Sequence, residues 1–159
     1  MSIDIEPATA SDMSSLVALN AEIQAHHVAL AEHLYNPKAD PDRVHQLFQL
    51  QIEDPAQTIL LARQDRFPIG YVWYEMRDAY KGTFTRSDPC AYLHHIGVTA
   101  SHRRRGVARR LMNRVIADAG RRDVVLTSAA INVEAHAFFE SFGFSAARTT
   151  FLRQGTLNR

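Results

Sequence analysis

The 159-residue sequence has a single cysteine, Cys90, so no disulfide can close within the chain and no cysteine-based zinc site exists. Lysine is scarce: Lys38 and Lys81 are the only two. No charge sign dominates. The formal net charge of +1 leaves no global field to draw the chain onto nucleic acid or an anionic membrane, so neither is expected as a partner. No apolar run approaches the ~20 residues of a membrane helix. The opening Met1-Ser2-Ile3-Asp4-Ile5 has neither a basic nor an apolar leader region. A cytoplasmic location is the default expectation. Repeats, low-complexity tracts and linkers are also missing. The length reads as one domain over residues 1–159, and a 46% hydrophobic content suffices for a buried core.

Apolar periodicity predicts alternating strands and helices. Ile3–Glu6 reads as a strand and Asp12–Gln24 as a helix, with a second helical piece over His26–Leu34. Asn36-Pro37 breaks the pattern. Pro41–Ile52 reads as a helix capped by Asp40, with Leu47, Leu50 and Gln51 on its partly apolar face. Thr58–Arg63 and Ile69–Met76 form a hairpin around Asp65–Pro68. Arg77–Pro89 is the longest loop. Tyr92–Val98 is a central strand, Val107–Gly120 a helix, Val124–Thr127 a short strand and Glu134–Phe142 a helix ended by Gly143. Thr149–Leu152 reads as a last strand. The expected class is α/β (α+β), a sheet flanked by helices.

The stretch Tyr92-Leu93-His94-His95-Ile96-Gly97-Val98 leads into Arg103-Arg104-Arg105-Gly106-Val107-Ala108. An apolar strand thus runs into an arginine and glycine turn that opens a helix. The helix is amphipathic, with Val107, Ala108, Leu111, Met112, Val115, Ile116 and Ala119 on one stripe. The first amides of a helix lack internal partners, and the dipole adds positive potential there. A glycine lets a phosphate approach the backbone. Six arginines between Arg103 and Arg114 reinforce the sign, and no aromatic platform interleaves them for nucleic-acid stacking. A phosphorylated small molecule is the expected ligand. The turn lacks G-x-G-x-x-G and is not followed by G-K-[ST], so neither a dinucleotide fingerprint nor a Walker A loop is present.

Arg103-x-x-Gly106-x-Ala108 resembles the [QR]-x-x-G-x-[GA] motif of the GCN5-related N-acetyltransferases. Asn132-x-x-Ala135-x-x-Phe138-Phe139-x-x-x-Gly143-Phe144 is similar to that family's later N-x-x-A-x-x-F-[YF]-x-x-x-G-F segment. The resemblance covers nearly the whole chain. It implies a mixed, mostly antiparallel twisted sheet with a splayed central strand pair, and acetyl-CoA as co-substrate. The backbone of Arg103, Arg104, Arg105, Gly106, Val107, Ala108 and Arg109 would hold the pyrophosphate. Pantetheine would pair with Ile96, Gly97 and Val98, with Asn132 and Phe139 also in contact. A homodimer is a further implication, with Thr149–Leu152 as a strand available for pairing. The acceptor would be a primary amine of a small molecule or peptide, entering beside Ala25–Gln57 and Arg77–Pro89. A non-catalytic acyl-CoA sensor of the same fold is the alternative.

Direct acetyl transfer needs a base for the amine, and an imidazole with an unperturbed pKa of about 6.5 suits it. Tyr92-Leu93-His94 resembles the H-L-H of the arylalkylamine N-acetyltransferases, and that resemblance implies His94 as the base, directly or through water, with Tyr92 as its catalytic neighbour. By strand alternation Tyr92, His94 and Ile96 share one face, while Leu93, His95 and Gly97 share the other unless a bulge intervenes. His95 is expected to be structural. Gly97 inside a strand signals a bulge or a close backbone approach. Many relatives carry a tyrosine acid where Phe139 stands, so Tyr92, Tyr71, Tyr74 or water must replace it. His26, His27 and His33 lack the i, i+4 spacing of a helical zinc pair, so no metal is expected.

Overall fold

A computed structural model describes residues 2–155, and these divide into two compact units between Thr127 and Ser128. The first unit carries β1 (Ile3–Pro7), α1 (Met13–Ala31), α2 (Pro41–Glu53), β2 (Gln57–Gln64) and β3 (Phe67–Arg77). It continues through β4 (Tyr80–Lys81), β5 (Arg86–Ser87), β6 (Cys90–Val98), α3 (Val107–Ala119) and β7 (Asp123–Leu126). The second unit contains α4 (Val133–Glu140). Its Phe139 packs among Phe138 and Phe144, with ring centroids 5.4 and 5.8 Å away.

A five-stranded sheet runs in the order β1-β2-β3-β6-β7. The first three pairings are antiparallel and β6–β7 is parallel, reached through the α3 crossover that a parallel neighbour requires. α1 and α2 cover one face. Met13, Leu16, Leu19 and Ile23 of α1 and Phe48 of α2 close there over Ile59, Leu61, Tyr71 and Trp73. The Phe48 ring stands edge-on to Tyr71 and Trp73 at 5.7 and 6.2 Å. α3 covers the other face with Val107, Leu111, Met112, Val115 and Ala119, five of the seven residues of the expected stripe, while Ile116 at its edge is exposed.

Four expectations change. α1 is one continuous helix through His26–Ala31, because no glycine or proline interrupts it before Asn36-Pro37. The buried stripe of α2 is Val44, Phe48 and Ile52, spaced i, i+4, i+8, which turns Leu47 and Leu50 to solvent. The Arg77–Pro89 loop contains the small β4–β5 hairpin. Thr149–Leu152 forms no strand within the chain.

Gly97 owes its identity to α1. A Cβ there would lie 2.0 Å from Ile23 Cδ1 and 2.4 Å from Ile23 Cγ1, contacts no side chain tolerates without movement. The helix crosses the strand at that point, and it does so without a bulge at Gly97. Gly97→Ala is therefore expected to lower unfolding free energy by about 1–3 kcal/mol through overpacking. Combining it with Ile23→Ala should cost less than the sum of the two single changes, because the truncated side chain vacates the contested space. Urea unfolding of the four proteins checks this. A Gly97→Ala protein as stable as wild type would contradict the packing.

Candidate active site

The turn after β6 is built by backbone conformation as much as by charge. Ala100–His102 forms one 3₁₀ turn, and the Arg103 guanidinium returns to the Val98 carbonyl at 3.2 Å. Arg104 and Gly106 both take left-handed backbone, with φ of 61° and 78°. Gly106 is the N-cap of α3, and a Cβ there would meet nothing within 4 Å. The positive φ favours glycine, and the space above it is open. Val107 and Ala108 follow in the first helical turn, where the helix supplies no acceptor for their amides. These features fit a phosphate group approaching the backbone.

Next to the turn, β6 runs on past its partner. β6 and β7 are in register from Cys90↔Asp123 to Leu93↔Leu126, where β7 ends, and from His94 to Val98 β6 has no register partner on β7. Ile96, Gly97 and Val98 lie on this unpaired part of β6. Asn132 and Phe139 belong to the second unit. There the Asn132 Oδ1 accepts from the Ala135 amide at 3.2 Å, so its side chain serves as the N-cap of α4.

The histidines do not alternate. Trp73 pairs with His95 and Tyr74 with Leu93, so His94 is the extra residue of a β-bulge. The bulge brings His94 and His95 to the same face as Tyr92, and Ile96, opposite Val72, falls on the other. The opposite-face expectation is thus corrected. Tyr71, Trp73 and Glu75, alternating along β3, line the same face. The His94 ring stacks on Trp73 at 4.3 Å and 19°, and the Tyr92 ring meets it edge-on at 5.0 Å. Of these partners, the Trp73 stack and the Glu75 pairing escape a reading of β6 alone; the Tyr-x-Trp-x-Glu alternation on the neighbouring strand is the signal for them.

Glu75 anchors the pair. Its Oε2 receives His94 Nε2 at 3.0 Å and the Arg77 guanidinium at 2.9 Å, and both His94 and Glu75 side chains keep about a quarter of their surface open. Burial pushes the Glu75 carboxyl up, but hydrogen bonds and charge from Arg77 and His94 outweigh it and hold it below its ordinary value. An ionised carboxylate can only accept. Its contact with His94 therefore puts the ring proton on Nε2 and leaves Nδ1 as the acceptor. Arg77 also lies over the Tyr92 ring at 3.9 Å, and the Tyr92 hydroxyl meets Thr127 Oγ1 at 3.0 Å. Tyr74 is on the far face, hydrogen-bonded to Asp118 of α3. Among the described residues no cluster of three or more histidine, cysteine or acidic side chains could hold a metal ion.

A second chain of contacts runs inward. Asn20 of α1, the only buried polar side chain among the described residues, donates from Nδ2 to the Tyr71 hydroxyl at 2.9 Å. That hydroxyl lies 2.9 Å from His95 Nδ1. Burial, then the neighbouring His27 and His94, push the His95 pKa down to about 4. His27 is lowered in the same direction, by burial and by His26. With the folded value below the ordinary 6.5, the unfolded chain binds more protons between the two. The stabilisation is complete above about pH 6.5 and is lost as pH falls toward about 4. The lowered carboxyls of Glu75 and Asp12 act in the same sense but below the usual carboxylate range. Wild type should thus lose stability between pH 7 and 4.5, and His95→Gln should lose less, by at most about 3 kcal/mol. Denaturant unfolding at the two pH values measures it, and equal losses in both proteins would contradict a neutral buried His95.

Residues 23–144 match the acetyltransferase (GNAT) family. No curated protein matches the chain. Among solved structures, the tetramutant of the BH1408 protein from Bacillus halodurans is similar at a TM-score of 0.82 and 20% identity, over 95% of this chain and 99% of that one. The aminoglycoside 6'-N-acetyltransferase AAC(6')-Ih from Acinetobacter baumannii is similar at 0.73 and 22%, over 99% and 100%. AAC(6')-Iy, in complex with a CoA-S-monomethyl-acetylneamine bisubstrate analogue, is similar at 0.74 and 19%, over 99% and 100%. These likenesses show a shared fold, and with the family match spanning most of the sequence, the chain belongs to the GNAT family of acetyltransferases.

Proposed function

We propose that the protein transfers the acetyl group of acetyl-CoA directly to a primary amine of a small molecule or peptide. The observation that carries this reading is the coincidence at His94. The residue that bulges out to meet Glu75 is also the first residue of β6 beyond its pairing with β7. An acid–base pair thus stands where the pairing of β6 with β7 ends. The aminoglycoside acetyltransferases of the same fold support an amine as acceptor. The coenzyme A analogue bound to one of them supports acetyl-CoA as donor.

The chain's residues divide the work. The Gly106 turn and the first amides of α3 would hold the pyrophosphate, with Arg103, Arg104, Arg105 and Arg109 adding positive charge. Ile96, Gly97 and Val98 would pair with the pantetheine arm. His94 Nδ1 takes a proton from the ammonium, directly or through water, and Glu75 stabilises the imidazolium at Nε2. The amine nitrogen then attacks the thioester carbonyl, and the carbon–sulfur bond breaks as the amide forms. The departing thiolate needs a proton. Phe139 has none to give, Tyr71 is enclosed with Asn20 and His95, and Tyr74 faces α3. Tyr92 is the remaining phenol on the face of His94. Phe139 also favours a second reading, an acyl-CoA sensor without turnover, and release of free CoA in a pooled-amine assay separates the two.

Millimolar acetyl-CoA should raise the melting temperature by mass action. Gly106→Asn is the sharper probe, because asparagine tolerates left-handed backbone while placing a side chain in the open space above the turn. The variant should melt within a few degrees of wild type and bind acetyl-CoA at least about tenfold more weakly, a loss of about 1.4 kcal/mol. Unchanged calorimetric affinity would place the phosphate elsewhere.

His94→Ala should lower kcat/KM by about 10²–10⁴-fold, with acetyl-CoA affinity unchanged. Near-wild-type kcat/KM across pH 6–9 would remove His94 from the chemistry.

A further inference from the structure

The bulge leaves two adjacent imidazoles on one face, and their partners fix opposite proton positions on the two rings. His94 gives its Nε2 proton to Glu75. For His95 the order of donation runs the other way. Asn20 Nδ2 is a donor, so at the Tyr71 hydroxyl the oxygen accepts. The single hydroxyl proton is then directed to His95, whose Nδ1 accepts. A neutral imidazole that accepts at Nδ1 carries its proton at Nε2. Nε2 has no hydrogen-bond partner among the described residues, yet no fully enclosed side-chain nitrogen or oxygen among them is left unsatisfied, so this N–H is not completely sealed off. The ring is held in place: Tyr71 stands edge-on at 6.1 Å and Trp73 at 5.1 Å.

We propose that His95 is a neutral hydrogen-bond donor for the acceptor molecule, carrying its Nε2–H on the same face of the sheet as the Nδ1 acceptor of His94, and that the site therefore selects amines carrying an oxygen close to the amino group. The inference rests on the acetyltransferase reading above. Tyr71 and Asn20 are positioning residues, acting through the His95 ring. The depressed pKa of His95 agrees with this, since a ring that stays neutral does not repel an incoming ammonium. A base and a donor on consecutive residues can grip both heteroatoms of an amino alcohol or amino acid at once. A simple alkylamine would engage His94 alone.

Two measurements test this. Nitrogen-15 NMR of the histidine rings in the unliganded protein reads the tautomers without turnover. His95 should be the Nε2–H form and should not titrate above about pH 5. An Nδ1–H form overturns the proposal. Steady-state kinetics then use matched pairs, ethanolamine with ethylamine and 1-amino-2-propanol with propylamine. His95→Leu should raise KM for the amino alcohols about tenfold, the value of one lost hydrogen bond, with kcat within about twofold and the alkylamines unaffected. His95→Gln, which keeps an N–H donor near the Nε2 position, should recover most of the loss. Equal losses for both members of each pair would make His95 structural and overturn the proposal. If wild type acetylates no amine, the acetyltransferase reading fails and takes the positioning role with it, while the spectra still report the tautomer separately.

Discussion

One extra residue in β6 governs the candidate site. A bulge puts two residues of one strand opposite one of its neighbour and reverses the alternation beyond it. Here that residue is His94, between the Trp73–His95 and Tyr74–Leu93 pairs. Without it, His95 would point toward α3, and the two histidines could not share a face with Tyr92. The bulge also coincides with the end of β6–β7 pairing, so the acid–base pair and the unpaired part of β6 begin at the same point of the backbone.

The rest of the first unit holds that point still. Trp73 supports the His94 ring from beneath, and Phe48 of α2 supports Trp73. On the same face, α1 is pressed onto β6 at Gly97 by Ile23 and reaches His95 through Asn20 and Tyr71. Removing a partner from a buried polar chain leaves an unsatisfied group, which costs about 1–3 kcal/mol. This explains why Asn20 can persist in an otherwise apolar interface. On the far face α3 fixes the turn, with Val107 buried directly after Gly106.

Much of this was legible in the sequence, for identifiable reasons. Helix α3 and its glycine turn follow from a clean apolar stripe and a residue type that tolerates positive φ. The β2–β3 hairpin follows from two apolar runs around a polar turn, and that turn adopts left-handed backbone at Asp65 and Arg66. The bulge is different. Nothing in Tyr92–Val98 itself marks which residue is extra, because register depends on pairing with β3. Strict alternation therefore places His94 and His95 on opposite faces. The Gly97 signal was sound but admitted two causes, and only the path of α1 distinguishes them. Leu47 and Leu50 misled because a helix stripe is defined by angle, and Phe48 with Val44 and Ile52 makes the better one. The Thr149–Leu152 segment has strand-like composition but forms no ladder.

The most direct test of the account is a crystal structure of the protein with acetyl-CoA bound. The account predicts the pyrophosphate on the amides around Gly106, Val107 and Ala108, and pantetheine alongside Ile96–Val98, beyond the end of the β6–β7 pairing. It also predicts the thioester on the side of the sheet that carries His94 and Glu75, within reach of the Nδ1 of His94 directly or through one water. A coenzyme seated away from the turn, or a thioester on the α3 side of the sheet, would contradict it.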